Sequence, residues 1–309
     1  MKGNNTSRAQ GYIWAILSSV LFGLMAVLVK LALNTGLAPL DIVFFRFFFA
    51  AIIFGLYVLC RRTDLRINKS QFLALLLLSL IGYAAMNLTY YAAFNRASLS
   101  LTSMLHYIYP VAAVVIARGI YKNTIPPKQY FAVALGVAGA MLLTFSDFSK
   151  ADISGVSLAL LSGVLYGAYA VGLDSPLLKN LNGEATIFYL CCFSAVAVGI
   201  VELFLKRNPF SELTGQGLLL ILAVALFCTC FAMLMFRQAI VSIGAVPTTI
   251  LSTLEPITIV ILSIVLLRES LTLLSFGGSV LILTAVILTV SKGKDPRKPA
   301  APNTGQRSL

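Results

Sequence analysis

"ILSTLEPITIVILSIVLLRES", Ile250 to Ser270, is an apolar run of about 20 residues, the length an α-helix needs to cross a hydrocarbon core. Glu255 and Pro256 stand side by side inside it. A carboxyl group at that depth is costly, and proline removes one backbone donor and frees the carbonyl four residues earlier, that of Ser252. Such groups are tolerated within a membrane only where protein or a wet cavity satisfies them. The run therefore reads as a spanning helix that is interrupted on purpose.

The rest of the chain fits that setting. Its 309 residues are 59% hydrophobic and only 11% charged, and the mean hydropathy is +0.93. These values lie outside the range of soluble domains and imply an integral membrane protein. Ten apolar stretches fall near 12–32, 39–60, 71–92, 98–119, 127–145, 153–173, 184–205, 215–236, 245–267 and 271–291. Pro126, Pro176 and Pro209 lie between them, and Pro39 and Pro127 at the first residue of a stretch. The stretches do not alternate as barrel strands do, so the expectation is an all-α bundle of ten transmembrane helices. Residues 292–309 form a polar tail, expected in the cytoplasm.

The 23 basic residues set the orientation. Sixteen fall on the side of the N-terminus, and six (Lys30, Arg96, Lys150, Lys206, Arg207 and Arg268) on the other, with Arg46 inside the second stretch. Both termini are thus expected in the cytoplasm. The net charge of +12 follows from this topology and from attraction to anionic membrane lipid, not from nucleic-acid binding. Cys60, Cys191, Cys192, Cys228 and Cys230 lie within helices or at their ends, where adjacent and i,i+2 thiols point apart, so neither disulfides nor a metal site are expected. No cofactor motif or P-loop occurs, and one histidine offers little for a membrane enzyme.

The chain repeats itself. "SMLHYIYPVAAVVI" lies over "TILSTLEPITIVIL" at an offset of 146, matching Pro110 to Pro256, Tyr109 to Glu255, His106 to Ser252 and Thr102 to Thr248. "SVLFGLMAV" from Ser19 lies over "GVLYGAYAV" from Gly163 at an offset of 144, matching Gly23 to Gly167. Five spans per half is an odd number, so the second half enters in the opposite orientation. Inverted repeats of this kind build many secondary transporters, with the site near the midplane between the halves.

The segment Leu251–Leu288, with Glu-Pro, "LLRESLT" and a glycine-containing last helix, resembles the second half of EamA-type drug/metabolite transporters, and Arg46 with the proline-containing fourth span resembles the first half. The resemblance covers residues 10–291, as repeats 10–146 and 152–291. It implies a ten-helix carrier, often an exporter, of small metabolites, amino acids or drug-like compounds. An acid expected after the fourth span is Asn123 here, against Glu269 in the second half. A small-multidrug-type exporter of lipophilic cations is the rival, although the first span lacks the acid such proteins carry.

Helical spacing places Thr102, His106 and Tyr109 on one face and Thr248, Ser252 and Glu255 on its counterpart. Tyr83 and Asn87, with Tyr90, form a further face, and Tyr166 lies mid-depth in the sixth span. These are the candidate substrate-binding residues. Pro110 and Pro256 either kink packed helices or open the cavity; His106 either bonds a neighbouring helix or serves substrate or protons. Arg46 is read as snorkelling, pairing with Asp41, holding helices together or touching substrate. Gly23 and Gly167 permit close helix approach. The expected partners are a small-molecule substrate, membrane lipid and, as one open assembly, a second copy in a homodimer.

Overall fold

The computed structural model describes residues 8–94, 96–97, 99–121, 125–143, 152–267 and 273–290. Asn123, Glu269, Lys150, Arg268 and the tail lie outside them. Among the described residues there are helices and no strand. In chain order, α1 is Arg8–Leu33, α2 Pro39–Arg61, α3 Lys69–Leu77, α4 Ala85–Phe94, α5 Leu99–His106, α6 Tyr109–Tyr121, α7 Pro127–Leu143 and α8 Ile153–Leu173. There follow a short α9, Pro176–Lys179, then α10 Gly183–Phe204, α11 Gly215–Ala223, α12 Ala232–Ile243, α13 Ala245–Ser252, α14 Glu255–Leu267 and α15 Leu273–Val290.

Local chemistry sets the boundaries. Proline opens α2, α7 and α9, where its missing N–H costs nothing. Asn68, Asp152, Asn182 and Thr214 cap α3, α8, α10 and α11 through side-chain oxygens that accept first-turn N–H groups. Gly244 joins α12 to α13 at φ 94, a left-handed conformation that L side chains adopt at a cost.

Eight helical stretches among the described residues are long and apolar enough to cross a membrane. The fifth and tenth apolar stretches carry α7, of 17 residues, and α15, of 18. They pack closely on each other: a Cβ on Gly139 of α7 would sit 2.6 Å from the carbonyl oxygen of Gly278 in α15. Large apolar side chains such as Leu56, Val115, Leu219 and Val265 are exposed on the outside, as suits a lipid-facing surface.

Two stretches are π-helical, Leu78–Ala84 between α3 and α4, and Val224–Phe231 between α11 and α12. Their starts are 146 residues apart, the offset of the sequence repeat. Arg237, one of the sixteen basic residues assigned to the side of the N-terminus, is fully buried in α12, where one nitrogen donates to the Leu178 carbonyl at 2.5 Å. Its apolar neighbours on the helix, Phe236 and Ile240, carry it into the core.

Candidate functional site

The two Pro-marked helices are broken. After His106 the chain turns through Tyr107 and Ile108, with the Ile108 N–H reaching only three residues back, to Leu105 at 3.3 Å. The equivalent break at Thr253 and Leu254 uses the same tight bonds, to Ile250 at 3.2 Å and Leu251 at 3.1 Å. Tyr109 begins α6 and Glu255 begins α14, so matched residues occupy the first position after each break.

Glycines bring helices of one half onto the breaks of the other. A Cβ on Gly23 of α1 would lie 2.9 Å from the Glu255 carbonyl oxygen, and one on Gly167 of α8 would lie 2.8 Å from that of Tyr109. A turn away, Gly163 abuts the His106 carbonyl at 2.6 Å by the same measure, and the Ser19 hydroxyl, 2.6 Å from the Ala15 carbonyl of its own helix, also lies 3.1 Å from that of Leu251. Backbone oxygens at the breaks thus meet the opposite half, which is what interrupted helices require within a membrane.

Arg46 is buried at 3% exposure and ties three helical segments together. Its Nε–H donates to Thr229 Oγ1 at 3.0 Å, and its terminal nitrogens donate to the Tyr83 hydroxyl and, at 3.5 Å, to Asn87 Oδ1. Tyr83 and Thr229, one in each π-helical stretch, are themselves 146 residues apart. Asp41, offered above as the Arg46 partner, pairs with Arg207 at 3.1 Å instead. Asp41 lies in the first turn of α2 and Arg46 more than a turn further on, so the helix separates them in depth. With its donors engaged inside, Arg46 does not snorkel.

Aromatic rings cluster between these features. Tyr166 lies 4.8 Å from Tyr109, 5.6 Å from the His106 ring, 5.9 Å from Phe236 and 6.1 Å from Tyr169, and Tyr169 stacks on Tyr83 at 4.9 Å. Tyr90 sits 4.8 Å from His106. His106 Nδ1 is 2.8 Å from Ser162 Oγ, whose own proton goes to the Ala159 carbonyl at 2.6 Å. Ser162 therefore accepts from Nδ1–H, which leaves Nε2 of the neutral ring as an acceptor. Glu255 is within electrostatic reach of Tyr90, Tyr107, Tyr109, Tyr166 and Arg46. His106 and Glu255, one on each side of the paired breaks, are only half-buried, so each keeps some accessible surface.

The expected binding residues divide accordingly. His106 and Glu255 retain accessible surface, with Tyr109 and Tyr166 as buried aromatic walls beside them. Tyr83 and Asn87 serve Arg46. Thr102 is fully buried, and the hydroxyls of Thr248 and Ser252 bond carbonyls of their own helix, at Gly244 and Thr248. Sequence reasoning passed over Thr229, Ser162 and Phe236. The repeat offset was the signal available, since it sets Thr229 over Tyr83 and Phe236 over Tyr90.

The model of the EamA-like transporter family matches this chain twice, over residues 9–145 and 153–291. The chain belongs to the EamA-like transporter family. An uncharacterized transporter of Archaeoglobus fulgidus is 24% identical over 279 residues, which cover 86% of this chain and 92% of that protein. A WAT1-related protein of Arabidopsis thaliana is 24% identical over 311 residues, covering 90% and 83% respectively. One solved crystal structure superposes with a TM-score of 0.76 over 92% of this chain and 97% of its own, at 15% identity, a likeness of fold alone. This EamA-like protein is a multi-pass membrane transporter.

Proposed function

We propose that this transporter is a secondary carrier of the cytoplasmic membrane, moving a small organic solute by alternating access between two inverted five-helix repeats that make ten crossings. The observation that carries the reading is the pair of crossed contacts, Gly23 on the Glu255 carbonyl and Gly167 on that of Tyr109, at matched positions of the two halves. They support a pseudo-twofold axis passing between the helix breaks, where inverted-repeat carriers hold substrate.

The lining supports a solute with an apolar or aromatic body and a few polar groups, among them small metabolites, amino acids and drug-like compounds. Tyr109 and Tyr166 offer ring faces, His106 Nε2 an acceptor and Glu255 a carboxyl group. A second reading, a lipophilic cation, rests on Glu255 standing among four tyrosines, an arrangement that attracts positive charge through both the carboxylate and the rings. Export is the direction the family resemblance carries.

Uptake and efflux of labelled amino acids, aromatic metabolites and lipophilic cations in proteoliposomes, with and without a pH gradient, test the proposal. At least one of these classes moves faster than through protein-free liposomes, and its identity separates the two readings. Protein-free rates for all three classes in both directions would contradict a carrier of this kind.

A further inference from the structure

Far from the chamber, where α2 begins and α10 ends, two buried carboxyl groups share one guanidinium. Asp41 is fully buried and Glu202 is 3% exposed. One Arg207 nitrogen lies 3.2 and 3.1 Å from the two Asp41 oxygens, and the Ala38 N–H donates to the same carboxylate at 3.1 Å, so Asp41 is well supplied with donors. Glu202 is not. Its Oε2 lies 3.4 Å from Arg207 Nε, yet neither of its oxygens makes a hydrogen bond. Held against the same guanidinium is the Asp41 carboxylate, which is another acceptor.

Two carboxylates against one arginine leave one uncompensated negative charge out of water, and two acceptors facing each other repel. One proton removes both penalties. Bound to a Glu202 oxygen it neutralises the triad, and the new O–H donates to Asp41, the arrangement in which paired carboxyl groups hold a single proton. Among the described residues, Asp41 from α2 and Arg207 from the following loop are the charged groups acting on Glu202. Lys206 and Glu212, nearby in the chain, are exposed, and α11, which packs on α2, carries no ionisable side chain.

We propose that Asp41 and Glu202 form a proton-binding site, separate from Glu255, that latches the first half of the transporter to the second. With the proton bound, α2 and α10 are joined through Glu202–H···Asp41 and through Arg207. When it leaves, the carboxylates repel across the same interface and the latch weakens.

The site is tested without any transported solute. Infrared pH-jump spectra of the purified, reconstituted full chain are recorded in a Glu255→Gln background, which removes the carboxyl group of the chamber. Between about pH 5 and pH 9, a range that reaches the values documented for buried carboxyl groups, one carboxylic C=O band is expected to disappear as pH rises. Glu202→Gln abolishes that band, and so does Asp41→Asn, which leaves Glu202 alone with Arg207 and ionised. A band that persists unchanged in both variants, the absence of any band in the background protein, or its loss on adding sodium at fixed pH overturns the proposal, the last outcome making the site one for a metal cation.

Discussion

Arg46 and Glu255 put opposite demands on the same chamber. The guanidinium is always protonated, and three neutral partners, Thr229, Tyr83 and Asn87, supply its hydrogen bonds. Lysine cannot reproduce that fork. Arg46→Lys is expected to cost about 2 to 4 kcal/mol from lost charge-assisted hydrogen bonds, read as a lower midpoint of thermal unfolding in detergent; an unchanged midpoint would mean the three contacts are incidental. Glu255 carries no comparable set of bonds and is only half-buried. Glu255→Gln is expected to leave folding intact while transport falls sharply or loses its pH dependence between about pH 5.5 and 8, roughly one unit either side of an unperturbed histidine. Wild-type transport across that range would make the group structural. The depth of both residues was legible from the apolar runs around them. Their partners were not: Thr229 is 183 positions from Arg46, whereas Asp41 is five, and proximity in sequence pointed to the wrong carboxylate.

At the scale of helices, proline made the breaks readable because its missing N–H cannot be hidden. The π-helical stretches carry no such mark, and nothing in "LSLIGYA" or "VALFCTCF" announces them. The i, i+4, i+7 rule also overreached. It assumes one continuous helix, whereas the step from Thr102 to Tyr109 and that from Thr248 to Glu255 each cross a turn. Periodicity also gives a shared face without saying whether that face is open, which is why Thr248 and Ser252 could end with their hydroxyls on their own backbone. The glycine pairs were legible as small residues, and the structure adds what they touch. Gly23→Leu is expected to force α1 off α14, since even a Cβ there falls 2.6 Å from that of Thr258. The cost is about 1 to 3 kcal/mol or more, with transport lost. Gly119→Ala, which meets nothing within 4 Å inside α6, should not lower the midpoint in the same unfolding assay. Equal effects of the two would remove the close-contact argument.

Across the whole molecule, the first helix of each half packs on the fourth span of the other, α1 on α14 and α8 on α6, and α2 packs on α10. Each break is therefore held by the opposite half, and relative motion of the halves must move both breaks. The central claim is that the space at the breaks opens to one side of the membrane and then to the other. His106→Cys, in protein whose five native cysteines have been replaced, places a thiol at a half-buried position beside one break. A membrane-impermeant thiol reagent is applied to oriented vesicles from one face and then, in a separate sample, from the other. The account predicts modification from both faces, slowed from each by a solute found to be transported. No modification from either face, or modification from one face alone that no transported solute affects, would contradict it.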